Sequence, residues 1–266
     1  MSEDAQRVWV GSMPETYDRL LGPAVFGPFA ADLARRAAEH RPKRVLELAA
    51  GTGQVTRELL RALPTARIVA TDLNAAMVEH GSTAVPGAEW RQADAQALPF
   101  PDGSVDLIVC QFGVMFFPEK PVAFAEAGRV LRPGGRLLFN TWGVLDTHAF
   151  GAAVVAAGRE LYPADPPTFL ERIPHGYADV ERVVADLTAG GLRCESSESV
   201  PLSGTAESAA AVARGFCLGT PMRAELEARG DLMTATAEIE SRVTAALGDG
   251  PVTGAMTALV ITATHA

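Results

Sequence analysis

The segment VLELAAGTG, residues 45–53, combines residue types that suit ligand binding at the end of a strand. An apolar run carries Glu47 near its end and leads into a turn that contains Gly51 and Gly53. Ligands of doubly wound sheets bind outside the carboxyl ends of the strands, where glycines let a ligand approach the backbone closely. The segment therefore predicts one wall of a binding site.

A second acidic residue, Asp72, ends the next apolar run of the sequence, about 20 residues beyond the glycines. A carboxylate at this spacing can accept hydrogen bonds from both hydroxyl groups of a ribose. The pair of motifs predicts a nucleoside ligand whose 2′-hydroxyl carries no phosphate.

The residues that follow the glycines argue against two common nucleotides. Thr56 stands where a dinucleotide-binding fingerprint has its third glycine, which lets the helix pack closely on the strand. The turn also has no lysine followed by serine or threonine, which a phosphate-binding P-loop requires. The pattern disfavours NAD, and it disfavours ATP bound through a P-loop.

The elements that must position these residues alternate along the first half of the chain. Short apolar runs predict strands, and helical patterns separate them, as in βαβ units of a parallel sheet. The five strands are predicted at residues 44–48, 66–71, 88–92, 105–111 and 136–142. The helices between them are predicted after Gly53, from the N-cap Asn74 to a point before Gly81, and from Pro121 to Arg132.

The second half of the chain is less regular but completes the same sheet. A helix is predicted over residues 179–189, and strands over residues 192–200 and 255–264. The fold class is therefore α/β, with a doubly wound sheet of seven strands.

The length and composition favour one domain. A chain of 266 residues with 48% hydrophobic and 21% charged residues can bury one large core and is not disordered. We predict a single domain, residues 1–266, with a sheet core and a helical cap. The core is assigned to residues 40–142, 177–204 and 249–266, and the cap to residues 1–39, 144–176 and 205–248.

The net charge of −9 repels phosphate backbones, so a small molecule is the expected partner rather than a nucleic acid. Three scattered cysteines indicate a reducing compartment, and the acidic start of the chain is unlike a secretory signal. No chargeless stretch predicts a membrane span. These features predict a cytoplasmic protein, and they do not determine its oligomeric state.

Several motifs together resemble the class I S-adenosylmethionine-dependent methyltransferases, in particular the branch that includes the ubiquinone and menaquinone biosynthesis enzymes. VLELAAGTG resembles the first motif of the family and ATDLN, residues 70–74, its second-strand acidic motif. The segments at residues 92–117 and 129–142 resemble its later motifs. The resemblance covers residues 40–142 strongly. It implies a Rossmann-like sheet whose last strand is antiparallel.

The resemblance also implies roles for the residues of the first two motifs. Ala49, Gly51 and Gly53 would line the methionyl and ribose side of the cofactor, S-adenosylmethionine. Glu47 would contact the methionyl ammonium group directly or through water, and Asp72 would hold the ribose. Ala49 departs from the family pattern, which commonly has glycine at this position.

The later motifs would surround the adenine and the reacting methyl group. Leu73 and Met77 would pack on the adenine, Asp94 would accept a hydrogen bond from its exocyclic amine, and Ala95 would bond a ring nitrogen through its backbone. Gln111 would lie under the methyl sulfonium.

The N-terminal segment at residues 12–23 resembles the part of the family that folds over the cofactor, so Tyr17 would close the pocket from above. Other residues of the chain are harder to assign. A base is needed only if the acceptor must lose a proton, and the candidates are His148 and His175 of the predicted cap. No histidine or cysteine spacing predicts a metal site. A helical segment that could face a substrate carries Arg214, Cys217 and Arg223, and it is interpreted first as a solvated charged face.

The predicted function is methyl transfer from S-adenosylmethionine to an oxygen, nitrogen or carbon atom of a small molecule. Two alternatives stay open. One is a nicotinamide-dependent oxidoreductase on a similar sheet, which Thr56 disfavours. The other is a non-catalytic protein that binds a nucleoside or takes part in interactions.

Overall fold

The computed structural model describes residues 13–266, which form one sheet of seven strands in the order β3-β2-β1-β4-β5-β7-β6. The strands are β1 (Arg44–Glu47), β2 (Arg67–Asp72), β3 (Glu89–Gln92), β4 (Val105–Gln111), β5 (Leu131–Trp142), β6 (Leu192–Ala206) and β7 (Val252–His265). Strands β1 to β5 are parallel, whereas β7 is antiparallel to both β5 and β6. The predicted fold class, a mostly parallel seven-stranded sheet with an antiparallel last strand, is confirmed.

Helices connect the strands and extend beyond them. The α-helices are α1 (Met13–Thr16), α2 (Gly27–Glu39), α3 (Gln54–Ala62), α4 (Ala75–Ala84), α5 (Lys120–Val130), α6 (Ala149–Leu161), α7 (Phe169–Arg172), α8 (Val180–Ala189), α9 (Ala209–Gly219), α10 (Met222–Glu227) and α11 (Leu232–Leu247). A π-helix, Tyr17–Phe26, joins α1 to α2. π-Helices are rare, and those that occur are often found at functional sites.

The centre of the sheet is apolar on both faces because helices cover it on both sides. Leu107 and Val109 face one side of β4, and Ile108 and Cys110 face the other; all four are fully buried. The two sets belong to separate apolar clusters. Helix α2 packs on the cluster that contains Leu107, beside α3. The ends of these central strands are thereby held in fixed positions.

Helices α9, α10 and α11 form a second packed layer. Helix α9 contacts α11 and the π-helix, and α11 also contacts α6. Their apolar residues join the larger of the two clusters. The division of the chain into core and cap remains a prediction. Within residues 13–266, no helix combines the length and the apolar character that crossing a membrane requires.

Strands β5 and β6 are longer than predicted. β5 begins at Leu131 rather than at residue 136 and passes through Pro133 and Gly134, whose φ is +75°, with a shift of register against β4. β6 continues from the predicted end, Val200, to Ala206, because β7 pairs with it along its whole length. In β6, pairing with a long antiparallel neighbour therefore outweighs the local turn-forming residues.

Helix α4 continues through Gly81, where the sequence predicts its end. Asn74 caps the helix as predicted, since its side chain accepts hydrogen bonds from two backbone N–H groups of the first turn. At Gly81 the indole ring of Trp90 lies so close that a Cβ atom would overlap it. The Trp90 Nε1 group donates to the carbonyl of Val85 at 3.1 Å. Gly81 therefore makes room for a ring of the neighbouring strand and does not end the helix.

Gly81→Ala tests this packing. Alanine favours a helix over glycine by up to about 1 kcal/mol, but here its methyl group must displace the Trp90 ring. We expect a net loss of about 1–3 kcal/mol in the free energy of unfolding, measured with guanidinium. Thr83→Ala, at an exposed position of the same helix, is the control and should change stability by less than about 0.5 kcal/mol. A Gly81→Ala protein more stable than wild type would contradict the packing.

Candidate functional site

A cavity of about 890 Å³ opens at the carboxyl ends of β1, β2, β3 and β4. This is the edge at which doubly wound sheets bind their ligands. Most of the predicted cofactor-binding residues line it: Tyr17, Ala49, Gly51, Asp72, Leu73, Met77, Asp94, Ala95 and Gln111. Glu47 and Gly53 are not part of its wall. The structure thus brings together residues from six separate segments of the chain.

Asp72 joins the turn after β1 to the turn after β2. Its Oδ2 atom accepts a hydrogen bond from the Gly51 N–H at 2.8 Å, and its Oδ1 atom accepts one from the Asn74 N–H at 2.9 Å. Burial raises the pKa of this carboxyl above its ordinary value, while the hydrogen bonds from the backbone oppose the shift. Each oxygen has a further lone pair, so Asp72 can hold both turns and still accept a bond from a ligand.

The turn after β1 has an unusual backbone. Ala49 has a φ of +51°, a left-handed conformation that costs an alanine free energy, and Gly51 has a φ of +55°. A Cβ atom on Gly51 would meet no atom within 4 Å, so the space beside this residue is open. Gly113, which follows β4, lies against Ala49 so closely that a Cβ atom there would overlap the Ala49 methyl group. The two strand ends therefore approach each other tightly.

Glu47 lies behind this turn, 1% exposed. The Thr56 hydroxyl donates a hydrogen bond to Glu47 Oε2 at 2.7 Å. Burial raises the pKa of Glu47 to about 8. The hydrogen bond from Thr56 lowers this pKa and the charge of Asp72 raises it, both less strongly than burial. The structure gives Glu47 a partner within the protein and keeps its side chain off the cavity wall. Its predicted contact with the methionyl ammonium group remains a prediction.

Gly53 also has a role outside the cavity. Its φ of +90° suits glycine, and a Cβ atom would lie 2.9 Å from Val85 Cγ2 and 3.2 Å from the Trp90 ring. The residue thus lets α3 begin close to the helix and the strand that follow it. The predicted contact of Gly53 with the cofactor remains a prediction.

The part of the wall assigned to the adenine contains apolar and polar groups, as such a slot requires. Met77 is 4% exposed and Leu73 is half-buried. Asp94 uses one carboxylate oxygen, Oδ1, to accept a hydrogen bond from the Gln96 N–H at 2.9 Å. Asp94 therefore caps its own turn, which holds the adjoining backbone of Ala95 in place.

Hydrogen bonds and ring contacts of Gln111 and Phe112 hold the end of β4. Phe112 has a φ of +48°, an uncommon conformation for a bulky residue. Its N–H group donates to Asn140 Oδ1 at 3.0 Å, and its ring stacks on Trp142 with centroids 3.6 Å apart. Gln111 Nε2 donates to the carbonyl of Phe26 at 3.3 Å. These contacts hold both residues on the cavity wall, and no local sequence signal identifies Phe112.

The far end of the cavity comes from segments that the sequence analysis did not predict as site residues. They are the loop after β4, helix α7 and helix α10. The wall residues here are Phe116, Phe117, Pro118, Phe169, Arg172, Ile173, Pro221, Arg223, Ala224, Glu225 and Glu227. Arg223 lines the cavity, and its side chain is 30% exposed and donates to Glu227 at 2.8 Å. These contacts fit the alternative that its segment faces a substrate.

The two histidines proposed as bases do not line the cavity. His148 accepts a hydrogen bond from the Gly151 N–H at 3.0 Å through Nδ1, and burial followed by the nearby His175 lowers its pKa to about 3. His175 donates through Nδ1 to the carbonyl of Gly143 at 2.8 Å. Both rings thus have structural partners, and their role as a base remains a prediction. In the described chain, no group of three or more His, Cys, Asp or Glu residues is placed to hold a metal ion.

Comparison with known proteins identifies the first half of the chain. Residues 46–139 match the family model of a methyltransferase domain. A ubiquinone/menaquinone biosynthesis C-methyltransferase of Hahella chejuensis is 42% identical over 101 residues, which cover 35% of this chain and 41% of that protein. A malonyl-acyl-carrier-protein O-methyltransferase of Methylococcus capsulatus is 42% identical over 105 residues, 38% of each protein. The chain thus spans about two fifths of each curated relative.

A solved structure extends the comparison to most of the fold. Phosphoethanolamine N-methyltransferase 2 of Haemonchus contortus, in complex with phosphomonomethylethanolamine and S-adenosylhomocysteine, superposes with a TM-score of 0.57 at 14% identity. The match covers 95% of this chain and 56% of that one, and it concerns the fold alone. The domain match and the two relatives confirm the resemblance to methyltransferases, and the structural match shows the fold.

The pKa of Glu47 predicts how stability depends on pH. The carboxyl is protonated in the folded protein up to about pH 8, whereas its ordinary value of 4.5 applies to the unfolded chain. Folding therefore takes up a proton between these values, so stability falls as the pH rises from 4.5 through 8. Glu47→Gln removes this contribution, and the decline should become shallower by up to about 1.4 kcal/mol per pH unit.

The measurement is the free energy of unfolding in urea at several pH values within this window. Glu160→Gln, which removes a carboxylate that is 70% exposed, is the control and should leave the decline unchanged. Equal pH dependence in wild type and Glu47→Gln would show that Glu47 is ionised in the folded protein.

Proposed function

We propose that this chain, which carries a methyltransferase domain of the class I S-adenosylmethionine-dependent type, transfers a methyl group from S-adenosylmethionine to a small molecule. The observation that carries the proposal is the position of Asp72, half-buried on the cavity wall between the Gly51 turn and Asn74. The acceptor atom is an oxygen, a nitrogen or a carbon. The relatives include both C- and O-methyltransferases, so they select no single acceptor atom.

The residues of the cavity fit this cofactor. The open space beside Gly51 leaves room for a ligand against the backbone, and Asp72 retains lone pairs for ribose hydroxyl groups. Asp72 and Asp94 place negative charge on the wall, which suits a positively charged sulfonium. The bound cofactor supplies an electrophilic methyl group.

The chain contributes mainly by positioning the donor and the acceptor and by excluding water. Gln111 and Phe112 lie at the end of β4 and line the cavity. Their hydrogen bonds and the stack of Phe112 on Trp142 fix this point of the wall. Methyl transfer needs an in-line arrangement of donor and acceptor, and such positioning can lower a barrier by about 7–11 kcal/mol.

Tyr17 closes the same region from the N-terminal side. Its ring stacks on Phe26 with centroids 4.6 Å apart, and Phe26 also accepts the Gln111 hydrogen bond through its carbonyl. Tyr17 thereby connects the N-terminal segment to the point where the methyl group would be transferred. Burial, with smaller contributions from Asp72 and Asp18, raises the pKa of its hydroxyl group, so Tyr17 remains neutral and serves as part of the lid.

Calorimetry with S-adenosylhomocysteine and with NADH, under identical conditions, tests the proposal. We expect micromolar binding of S-adenosylhomocysteine alone. Binding of NADH alone would favour an oxidoreductase, and binding of neither would favour a protein without this activity. A labelled methyl donor and a panel of acceptors would then identify the product.

Asp72→Asn tests the residue that carries the proposal. The variant keeps the shape of the side chain but loses a charged acceptor, so S-adenosylhomocysteine should bind about tenfold or more weakly. Asp165→Asn, at a position where the side chain is 78% exposed and outside the cavity wall, is the matched control and should bind as wild type does. The thermal unfolding of each variant shows whether it is folded. A folded Asp72→Asn protein with unchanged affinity would exclude Asp72 from the cofactor site.

A further inference from the structure

The far end of the cavity presents an aromatic surface. Phe116, in the loop after β4, exposes 41% of its surface, which is high for a phenylalanine. Phe169 of α7 is buried, and its ring centroid lies 6.3 Å from that of Phe116. Exposed aromatic surface at the mouth of a cavity is typical of a place that an apolar ligand covers.

Two arginines line the same end, but their surroundings differ. The Arg223 guanidinium donates a hydrogen bond to Glu227 at 2.8 Å. Arg172 Nη2 lies 3.5 Å from Glu225 Oε1, which is within the range of an ion pair but longer than an ordinary hydrogen bond. Its side chain is 61% exposed, and no hydrogen bond from it is found within residues 13–266. A guanidinium has five N–H donors, so Arg172 retains most of them for a ligand.

Glu225 does not occupy the free N–H donors of Arg172, because its carboxylate already accepts hydrogen bonds from the backbone. Its Oε2 atom accepts hydrogen bonds from the backbone N–H groups of Thr168 at 2.7 Å and Phe169 at 3.0 Å. These bonds join α10 to the start of α7 and hold the carboxylate in place. Arg172 therefore stands beside a fixed carboxylate without a close hydrogen bond to it. A ligand anion could take two parallel N–H donors of the guanidinium, which is the strongest arrangement open to this side chain.

The size of the cavity allows a second molecule beside the nucleoside. Sites for one drug-sized ligand occupy about 300–1,000 Å³, and this cavity measures 890 Å³. Phe116, Phe169 and Arg172 line the same cavity but are not among the residues predicted to bind the cofactor. The far end is therefore the place for the acceptor.

We infer that the acceptor has a flat apolar body, which packs on Phe116 beside Phe169, and a negatively charged group, which Arg172 binds. This inference rests on the proposed methyl transfer and names the class of acceptor for the same site. The geometry of Arg172 fits a carboxylate or a phosphate, since both offer oxygen atoms at the spacing of the guanidinium N–H groups.

The test compares two probes that differ in charge but not in shape. The protein is saturated with S-adenosylhomocysteine and titrated in a calorimeter with 2-naphthoate and, separately, with 2-naphthamide. For the wild type we expect the acid to bind about tenfold more tightly than the amide, as a charge-assisted pair predicts. Repeating the titration with naphthyl phosphate shows which of the two anions is preferred.

Arg172→Gln should reduce the preference for the acid to about twofold or less, because the amide of glutamine carries no charge. Arg159→Gln is the matched control. Arg159 lies in α6, is 57% exposed and pairs with Glu171, which is the neighbour of Arg172 in α7. Arg159 does not line the cavity. This variant should keep the wild-type preference. Phe116→Ala should weaken the binding of the acid and of the amide to the same extent.

The outcomes separate this inference from the proposed function. Equal affinity for the acid and the amide, a preference that survives Arg172→Gln, or no binding of either probe would overturn the inference while S-adenosylhomocysteine still binds. A protein that does not bind S-adenosylhomocysteine fails at the earlier step, which belongs to the proposed function. Unchanged affinity of both probes for Phe116→Ala would overturn the assignment of the apolar surface.

Discussion

The carboxylate of Asp72 is the interaction on which the cavity depends. It accepts one hydrogen bond from the turn after β1 and one from the start of α4, so a single side chain fixes two strand ends relative to each other. Beyond β1, one backbone bond still reaches β2, from the Ala50 N–H to the Thr71 carbonyl at 2.9 Å. The Asp72 carboxylate adds a second bond between the same two strand ends. It also remains within reach of a ligand, so the same group serves the fold and the candidate site.

The strained backbone at the strand ends has the same origin. Ala49 and Phe112 both adopt positive φ values, and each belongs to a loop that crosses the edge of the sheet. Such conformations cost about 1–3 kcal/mol each and persist where the surroundings hold them. Gly113 packs against Ala49 without a side chain, and Trp142 and Asn140 hold Phe112. The edge of the sheet thus combines local strain with strong support, as sites that bind small molecules often do.

The buried carboxyl group of Glu47, behind the site, has a hydrogen-bond partner within the protein. Thr56, the residue that replaces the third glycine of a dinucleotide fingerprint, donates to Glu47. A carboxyl group that is 1% exposed would otherwise be costly to bury, so threonine at this position and glutamate on β1 belong together. The substitution that argues against a dinucleotide therefore has a positive structural role in this chain.

The sequence by itself determined the sheet and the half of the site that local motifs encode. Its strand and helix patterns identified β1 to β4 within one or two residues, and Asp72, Asp94 and Gln111 follow strands whose ends must meet at one edge. Parallel pairing makes that meeting unavoidable. Only the tertiary structure decided the other half. The segments that carry Phe169, Arg172 and Arg223 are far from the motifs along the chain, and Glu225 joins them through contacts between side chain and backbone. The hydrophobic periodicity of the sequence does not predict such a contact, because the contact depends on how separate helices pack.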